Sequence, residues 1–204
     1  MSINLRINTC LALLLGLSGC LAPGYGSSGA IAPTPVHQQM NLLETSLRPL
    51  RDGFNAASDR ARVIALVSPT CQTCAFGAQA IREVILDTYP DARLRVFVVW
   101  INVSREDNRD GALTSAACID DPRVRHYHDP GQRAGRAFAE GLLPTGFAWD
   151  TYLFYSPGAV WDDLPPRPRS WASQLGRIAG DNFHPREKLA LEFERAGADL
   201  LGPR

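Results

Sequence analysis

The chain has 204 residues, 45% of them hydrophobic and 21% charged, a balance that excludes a disordered or fibrous protein and suits one globular domain with a sizeable core. Its 21 basic residues cancel its 21 acidic ones, which excludes the electrostatic footprint of a nucleic-acid binder. Lys188 is the only lysine, so the basic charge is almost wholly arginine, a bias of composition rather than a recognition pattern.

At the N-terminus Arg6 precedes an apolar run over residues 10–17, too short to span a bilayer and placed as in a secretion signal. Leu17-Ser18-Gly19-Cys20 follows. This resembles the bacterial lipobox, which implies cleavage before Cys20 and acylation of its sulfur; an ordinary signal with a chance cysteine is the alternative. Residues 1–20 thus read as a lipoprotein signal peptide, and the protein as exported, anchored to a bacterial membrane by its lipid and facing the periplasm. Leu21 rather than Asp follows the cysteine, which leaves transfer to the outer membrane open. Of five cysteines, Cys10 leaves with the signal and Cys20 takes the lipid. Cys71, Cys74 and Cys118 remain as thiols.

Residues 21–35 are rich in Gly, Ser, Ala and Pro without apolar periodicity, the composition of a flexible linker. The folded domain is expected over residues 36–204. Met40, Leu43, Leu47 and Leu50 recur at helical spacing and predict a helix to about residue 52, stopped by Gly53. Val63-Ile64-Ala65-Leu66-Val67 is a continuous apolar run, as in a strand buried on both faces. Cys71-Gln72-Thr73-Cys74 follows at once and opens a predicted helix with Phe76, Ala80, Ile81, Val84 and Ile85 on its apolar face, ending before Pro90. Gly77 inside that helix costs about 1 kcal/mol relative to Ala, so close packing against the sheet is expected there.

Residues 93–101 predict a second central strand. Ser104 and Asp107 resemble a capping box for a helix reaching about residue 117. Residues 124–128 predict a shorter strand, and Asp129-Pro130 the cap and first turn of a helix containing Ala134, Ala137 and Phe138. Residues 151–155 and 159–161 flank Ser156-Pro157-Gly158 and predict a β-hairpin. A Pro-rich crossing over residues 164–168 leads to a predicted helix near residues 170–178. From Pro185 onward, Leu189, Phe193, Ala196 and Leu200 share one face of a final helix.

Strands alternating with helices, with C-x-x-C opening the helix after an early central strand, resembles the thioredoxin-like superfamily over roughly residues 62–178. The resemblance implies an α/β fold: a central mixed β-sheet with helices on both faces. The additional strand and helix over residues 124–142, before the terminal hairpin, look like the insertion of membrane-tethered TlpA-type and peroxiredoxin-related members. It further implies that Cys71 attacks and Cys74 resolves. Thr70 stands where thioredoxins usually have Trp, and Gln72-Thr73 where they have Gly-Pro. The family's cis-Pro before the hairpin strand has no counterpart at Asp150 or Thr151, and Pro144-Thr145 lies several residues too early. Either an inserted loop separates Pro144 from the strand or the cis-Pro has been replaced; replacement is the favoured reading, and it gives Asp150 a place from which its carboxylate could accept the proton of the buried thiol.

These features predict a thiol-disulfide oxidoreductase that needs no bound cofactor and exchanges electrons with a protein dithiol or disulfide partner. The alternatives for the same thiols are a static disulfide loop or a non-enzymatic module that holds a soft metal ion. In the metal reading Cys71 and Cys74 would be joined by His126 and His128, which share a strand face; the plainer expectation for the two histidines is a solvent-facing place on an edge strand. Cys118 is expected to be a small buried side chain, Trp149 and Trp161 to pack in the core, and Asp162-Asp163 to be a solvated strand end.

Overall fold

The computed structural model describes residues 34–144 and 146–202; the expected signal, Cys20, most of the linker and Thr145 lie outside the described residues. No helix among those residues is long and apolar enough to cross a membrane.

Six strands form one mixed sheet in the order β1-β4-β3-β2-β5-β6: β1 (Asn41–Leu42), β2 (Ala61–Val67), β3 (Leu94–Ile101), β4 (Val124–Asp129), β5 (Thr151–Tyr155) and β6 (Ser170–Ser173). The first four in spatial order run parallel, while β5 lies antiparallel to β2 and β6 antiparallel to β5. All seven residues of β2 are buried, the apolar residues 63–67 as the central position of the strand requires, and Arg62 with its guanidinium bonded to backbone carbonyls. Side-chain alternation divides them between two cores. Val63, Ala65 and Val67 face one core with Cys74, Ala78 and Ile81, together with Leu189 and Phe193. Ile64 and Leu66 face the other with Leu50, Phe54, Ala134 and Phe138.

The helices that supply these residues are α1 (Arg48–Ala56), α2 (Gln72–Ala80), α3 (Arg109–Ala116), α4 (Arg133–Ala139) and α5 (Arg186–Leu201). Helix α2 widens into a π-helical stretch over Ile81–Leu86 before the chain reaches Pro90. The result is the expected α/β architecture, and β4 with α4 is the expected insertion ahead of the antiparallel strands. The final helix buries Leu189, Phe193, Ala196 and Gly197. In α4 the Asp129 carboxylate receives the backbone N–H groups of Arg133 at 3.0 Å and Ala134 at 2.7 Å, so it satisfies free donors of the first turn from outside the helix.

Three local expectations are corrected. Residues 36–52 are not one helix: a 3-10 turn, Val36–Gln38, leads to β1, and α1 starts later with Pro49 in its first turn. The cause is pairing with β4, where Leu43 N–H donates to the His128 carbonyl at 2.9 Å. Helix α1 then runs through Gly53, where a Cβ would lie 2.7 Å from the Tyr127 hydroxyl. Glycine is there for close approach, not as a stop.

The second correction concerns the partner of β5. The turn at Ser156-Pro157-Gly158 exists, but residues 159–161 form no strand, and residues 170–173, expected to begin a helix, are β6. Asn55 explains the diversion: its side chain donates to the Trp161 carbonyl at 2.8 Å and accepts from Trp161 N–H at 2.9 Å. The buried Arg62 guanidinium also donates to the carbonyls of Ser156 and Ala159, each at 2.7 Å. Trp161 is thereby pulled against Phe54 and Phe138, ring edges to faces, in the expected core role. Third, α3 is capped by Asn108, whose side chain accepts from Gly111 N–H at 2.9 Å. Ser104 and Asp107 precede the helix and serve another purpose.

Candidate active site

Strand β2 ends at Val67, and four residues later Cys71 is the N-cap of α2. Its sulfur accepts the backbone N–H of Cys74 at 3.2 Å, in the position a capping oxygen would hold. A free helix donor and the positive end of the helix dipole therefore meet at this sulfur. Cys71 is half-buried, whereas Cys74, one turn further in, is fully buried in the core between α2 and the sheet. Both are free thiols.

The two sulfurs differ sharply in acidity. The Cys74 thiol donates toward Cys71 and does most to bring its pKa down to about 6; burial opposes this, while Thr73 and the Cys74 N–H add to it and the Asp150 charge opposes it. Burial pushes the Cys74 thiol strongly the other way, helped by its bond to Cys71 and by the charge of Asp150. The outer sulfur is thus poised as a thiolate near neutrality, while the inner one keeps its proton.

Asp150 immediately precedes β5 in left-handed backbone, φ +46°, a conformation that aspartate tolerates better than most residues. No cis peptide bond occurs among the described residues. The Asp150 side chain is buried and its carboxylate accepts three hydrogen bonds: Thr73 Oγ1 at 2.6 Å, Tyr152 Oη at 2.8 Å and Gln174 Nε2 at 3.0 Å. Gln174 also donates to the Thr73 carbonyl at 3.1 Å, fastening the C-x-x-C turn to the end of β6. Thr73 in turn lies with its hydroxyl 3.1 Å from the Cys71 sulfur.

Cys71, Cys74 and Asp150 each bring one donor atom into a group in which all lie within 4.8 Å of one another. The two histidines do not join it, and the expectation that they complete a metal site with the thiols is corrected. His126 and His128 lie on β4, two strands from β2 in the sheet; β1 pairs with β4 so that it is no edge strand, the 3-10 turn Val36–Gln38 and α3 pack against it, and both histidines are buried. They are not solvent-facing. Trp100 Nε1 donates to His126 Nδ1 at 3.3 Å, and His128 Nε2 bonds Asn102 Oδ1 at 2.9 Å. Both Asp150 oxygens accept from neutral donors.

On the approach to Cys71, Asp107 gathers the loop. Its carboxylate accepts from the Val103 and Ser104 N–H groups, both at 2.8 Å, and from Thr70 N–H at 3.0 Å, with the hydroxyls of Ser68 and Thr70 at 2.9 and 2.7 Å. The loop after β3 is thus tied to the residues just ahead of Cys71. In the sequence Asp107 had the look of a helix cap, because Ser104 three residues before it satisfies that pattern locally. Tyr152 and Gln174 carried no signal at all: one is a strand aromatic and the other a polar residue after β6. Cys118, expected to be buried, is exposed on the 3-10 turn Ala117–Ile119, since the turn directs Ile119 inward instead.

The parallel strands β3 and β2, the antiparallel β5 and β6 beside them, and C-x-x-C at the start of the helix after β2 make this a thioredoxin-like fold. No protein-family model and no curated protein matches the chain. Among solved structures it is similar to a thioredoxin-like protein in its oxidised form, at 18% identity and a TM-score of 0.46, over 69% of this chain and 80% of that one. A Bacteroides thetaiotaomicron structure matches at 12% identity and a TM-score of 0.46, over 74% and 79% of the two chains. A secreted disulfide oxidoreductase of Mycobacterium tuberculosis matches at 10% identity and a TM-score of 0.39, over 69% and 84%.

Proposed function

From a thioredoxin-like fold that mounts two free thiols at a helix N-terminus, we infer that this protein is a thiol-disulfide oxidoreductase acting on a protein partner. One observation carries the reading: a half-exposed, acidified Cys71 sits directly over a fully buried Cys74 that keeps its proton. The Cys71 thiolate attacks one sulfur of a partner disulfide, forming a mixed disulfide and releasing the other partner sulfur as thiolate. Cys74 gives its proton to Asp150 and attacks the Cys71 sulfur, closing Cys71–Cys74 and releasing the second partner thiolate. Two electrons pass to the partner, and its two thiolates take up protons, one of them from Asp150 and the other from solvent. No cofactor is required.

The test is reduction of insulin or a small aromatic disulfide in the presence of a dithiol donor. Turnover that is lost in Cys71→Ser supports the reading. Stoichiometric zinc binding without turnover would instead favour the metal module. Export and a lipid anchor complete the proposal and are supported by the Leu17-Ser18-Gly19-Cys20 motif alone. Labelled fatty acid should be incorporated by the full chain in a bacterial host and be lost in Cys20→Ser.

A further inference from the structure

Thr73 lies between the two ionisable groups of the site that carry or gain charge during exchange. Its Oγ1 donates to Asp150 Oδ2 at 2.6 Å and stands 3.1 Å from Cys71 Sγ. A hydroxyl has one proton and two lone pairs. When that proton points at the carboxylate, Thr73 can only accept from Cys71, which suits the thiol. When Cys71 is a thiolate, its sulfur needs the proton, and Asp150 loses its shortest hydrogen bond.

We propose that the Thr73 hydroxyl is a switch that couples the charge on Cys71 to Asp150, its single proton turning from the carboxylate to the sulfur when Cys71 ionises and back when Cys71 enters a disulfide. This deepens, and rests on, the oxidoreductase reading. The surroundings fix the geometry. Gln174 holds the Thr73 carbonyl and one Asp150 oxygen, and the Tyr152 hydroxyl holds that same oxygen, so Asp150 Oδ2 is left aimed at Thr73 alone. Gly77 leaves the room that the Tyr152 hydroxyl occupies. The other titratable groups facing Cys71 are Cys74 on α2 and Tyr152 on β5; Asp107, on the loop after β3, bonds Thr70 beside it. That Thr73 acidifies Cys71 while Asp150 opposes its ionisation agrees with competition for one proton. In the cycle, formation of the mixed disulfide removes the charge at Cys71, and Thr73 returns its hydrogen bond to Asp150 as the latter turns to the proton of Cys74.

The test is a double-mutant cycle on the thiolate titration of Cys71, followed by ultraviolet absorbance of the reduced full chain. Asp150→Asn should lower the midpoint and Thr73→Val should raise it, each by about half a pH unit or more. Thr73→Ser should restore the wild-type midpoint. In the Thr73→Val background the effect of Asp150→Asn should fall to less than half, because the shared proton is gone. An equal Asp150→Asn shift in both backgrounds would show coupling through space alone and overturn the proposal, as would Thr73→Val without effect. Thr73 is exposed, so folding should survive, and Thr73→Ala with the same readout serves if the valine variant misfolds. The titration needs no turnover. Loss of the coupling in an active reductase removes this inference only, and coupling in a protein without turnover removes only the oxidoreductase reading.

Discussion

Gly77 in α2 and Tyr152 in β5 occupy one space: a Cβ on residue 77 would fall inside the Tyr152 hydroxyl and overlap its ring carbon. The helix that carries the thiols can approach the sheet only because one residue in its middle has no side chain.

Gly77→Ala should therefore destabilise the protein by about 1 to 3 kcal/mol through overpacking, although the same change in an exposed helix would gain about 1 kcal/mol. Urea denaturation decides the sign. An alanine variant as stable as the parent would mean that Tyr152 moves aside freely.

The acidity of Cys71 predicts a pH dependence. Alkylation of the reduced protein by iodoacetamide should rise with a midpoint near the value of about 6 to which Cys71 is lowered. An unfolded cysteine ionises near about 8.5, so the unfolded chain binds more protons between the two values. The contribution of Cys71 to stability is full above the unfolded value and disappears as pH falls through the folded one. Denaturation of reduced wild type against Cys71→Ser at several pH values should show a gap that widens from acid to alkaline; a constant gap would contradict the assignment.

Asp107 should matter for order ahead of the thiols. Burial raises its pKa, but the N–H of Ser104 with Thr70, Ser68 and Val103 outweighs this and holds it below the usual carboxylate range. The stability it supplies is present above the unfolded value and lost as pH falls through the folded one. Asp107→Ala strands several donors and should cost about 2 to 4 kcal/mol. Hydrogen exchange at Thr70 and Ser104 should accelerate with it, and unchanged exchange would refute the role.

Asn55→Ala removes both bonds to Trp161 and should cost about 1 to 3 kcal/mol. Tryptophan fluorescence of the folded variant should shift to the red as Trp161 leaves the core. Unshifted emission would mean that Phe54 and Phe138 hold the ring without Asn55.

What could be read in the chain and what could not divides along the range of the interactions. The apolar run of β2 and the thiols one helical turn apart are local or strongly patterned, and the α/β thioredoxin-like fold followed from them. The partner of β5 did not follow, because Ser156-Pro157-Gly158 makes a sound turn whichever strand comes next. Asn55 and Arg62, about a hundred residues away, divert the chain past residues 159–161. Asp107 misled for the same reason: a capping pattern is satisfied by four residues, whereas its real partners include Ser68 and Thr70 on the far side of α2 in sequence. His126 and His128 looked solvent-facing because nothing in their own strand announces that β1 will take the sheet edge or that the 3-10 turn Val36–Gln38 and α3 will pack on it.

The mounting of Cys71 decides who must adapt in an encounter. Its helix follows the fully buried β2, which lies between the two cores, the turn before it is stitched down by Asp107, and the first turn itself is held by Gln174. A nucleophile so fastened does not search for its target. Under the proposed function, compliance then falls to the visitor, so disulfides borne on pliable segments should line up with the sulfur, and bridges recessed inside a folded surface should stay out of reach.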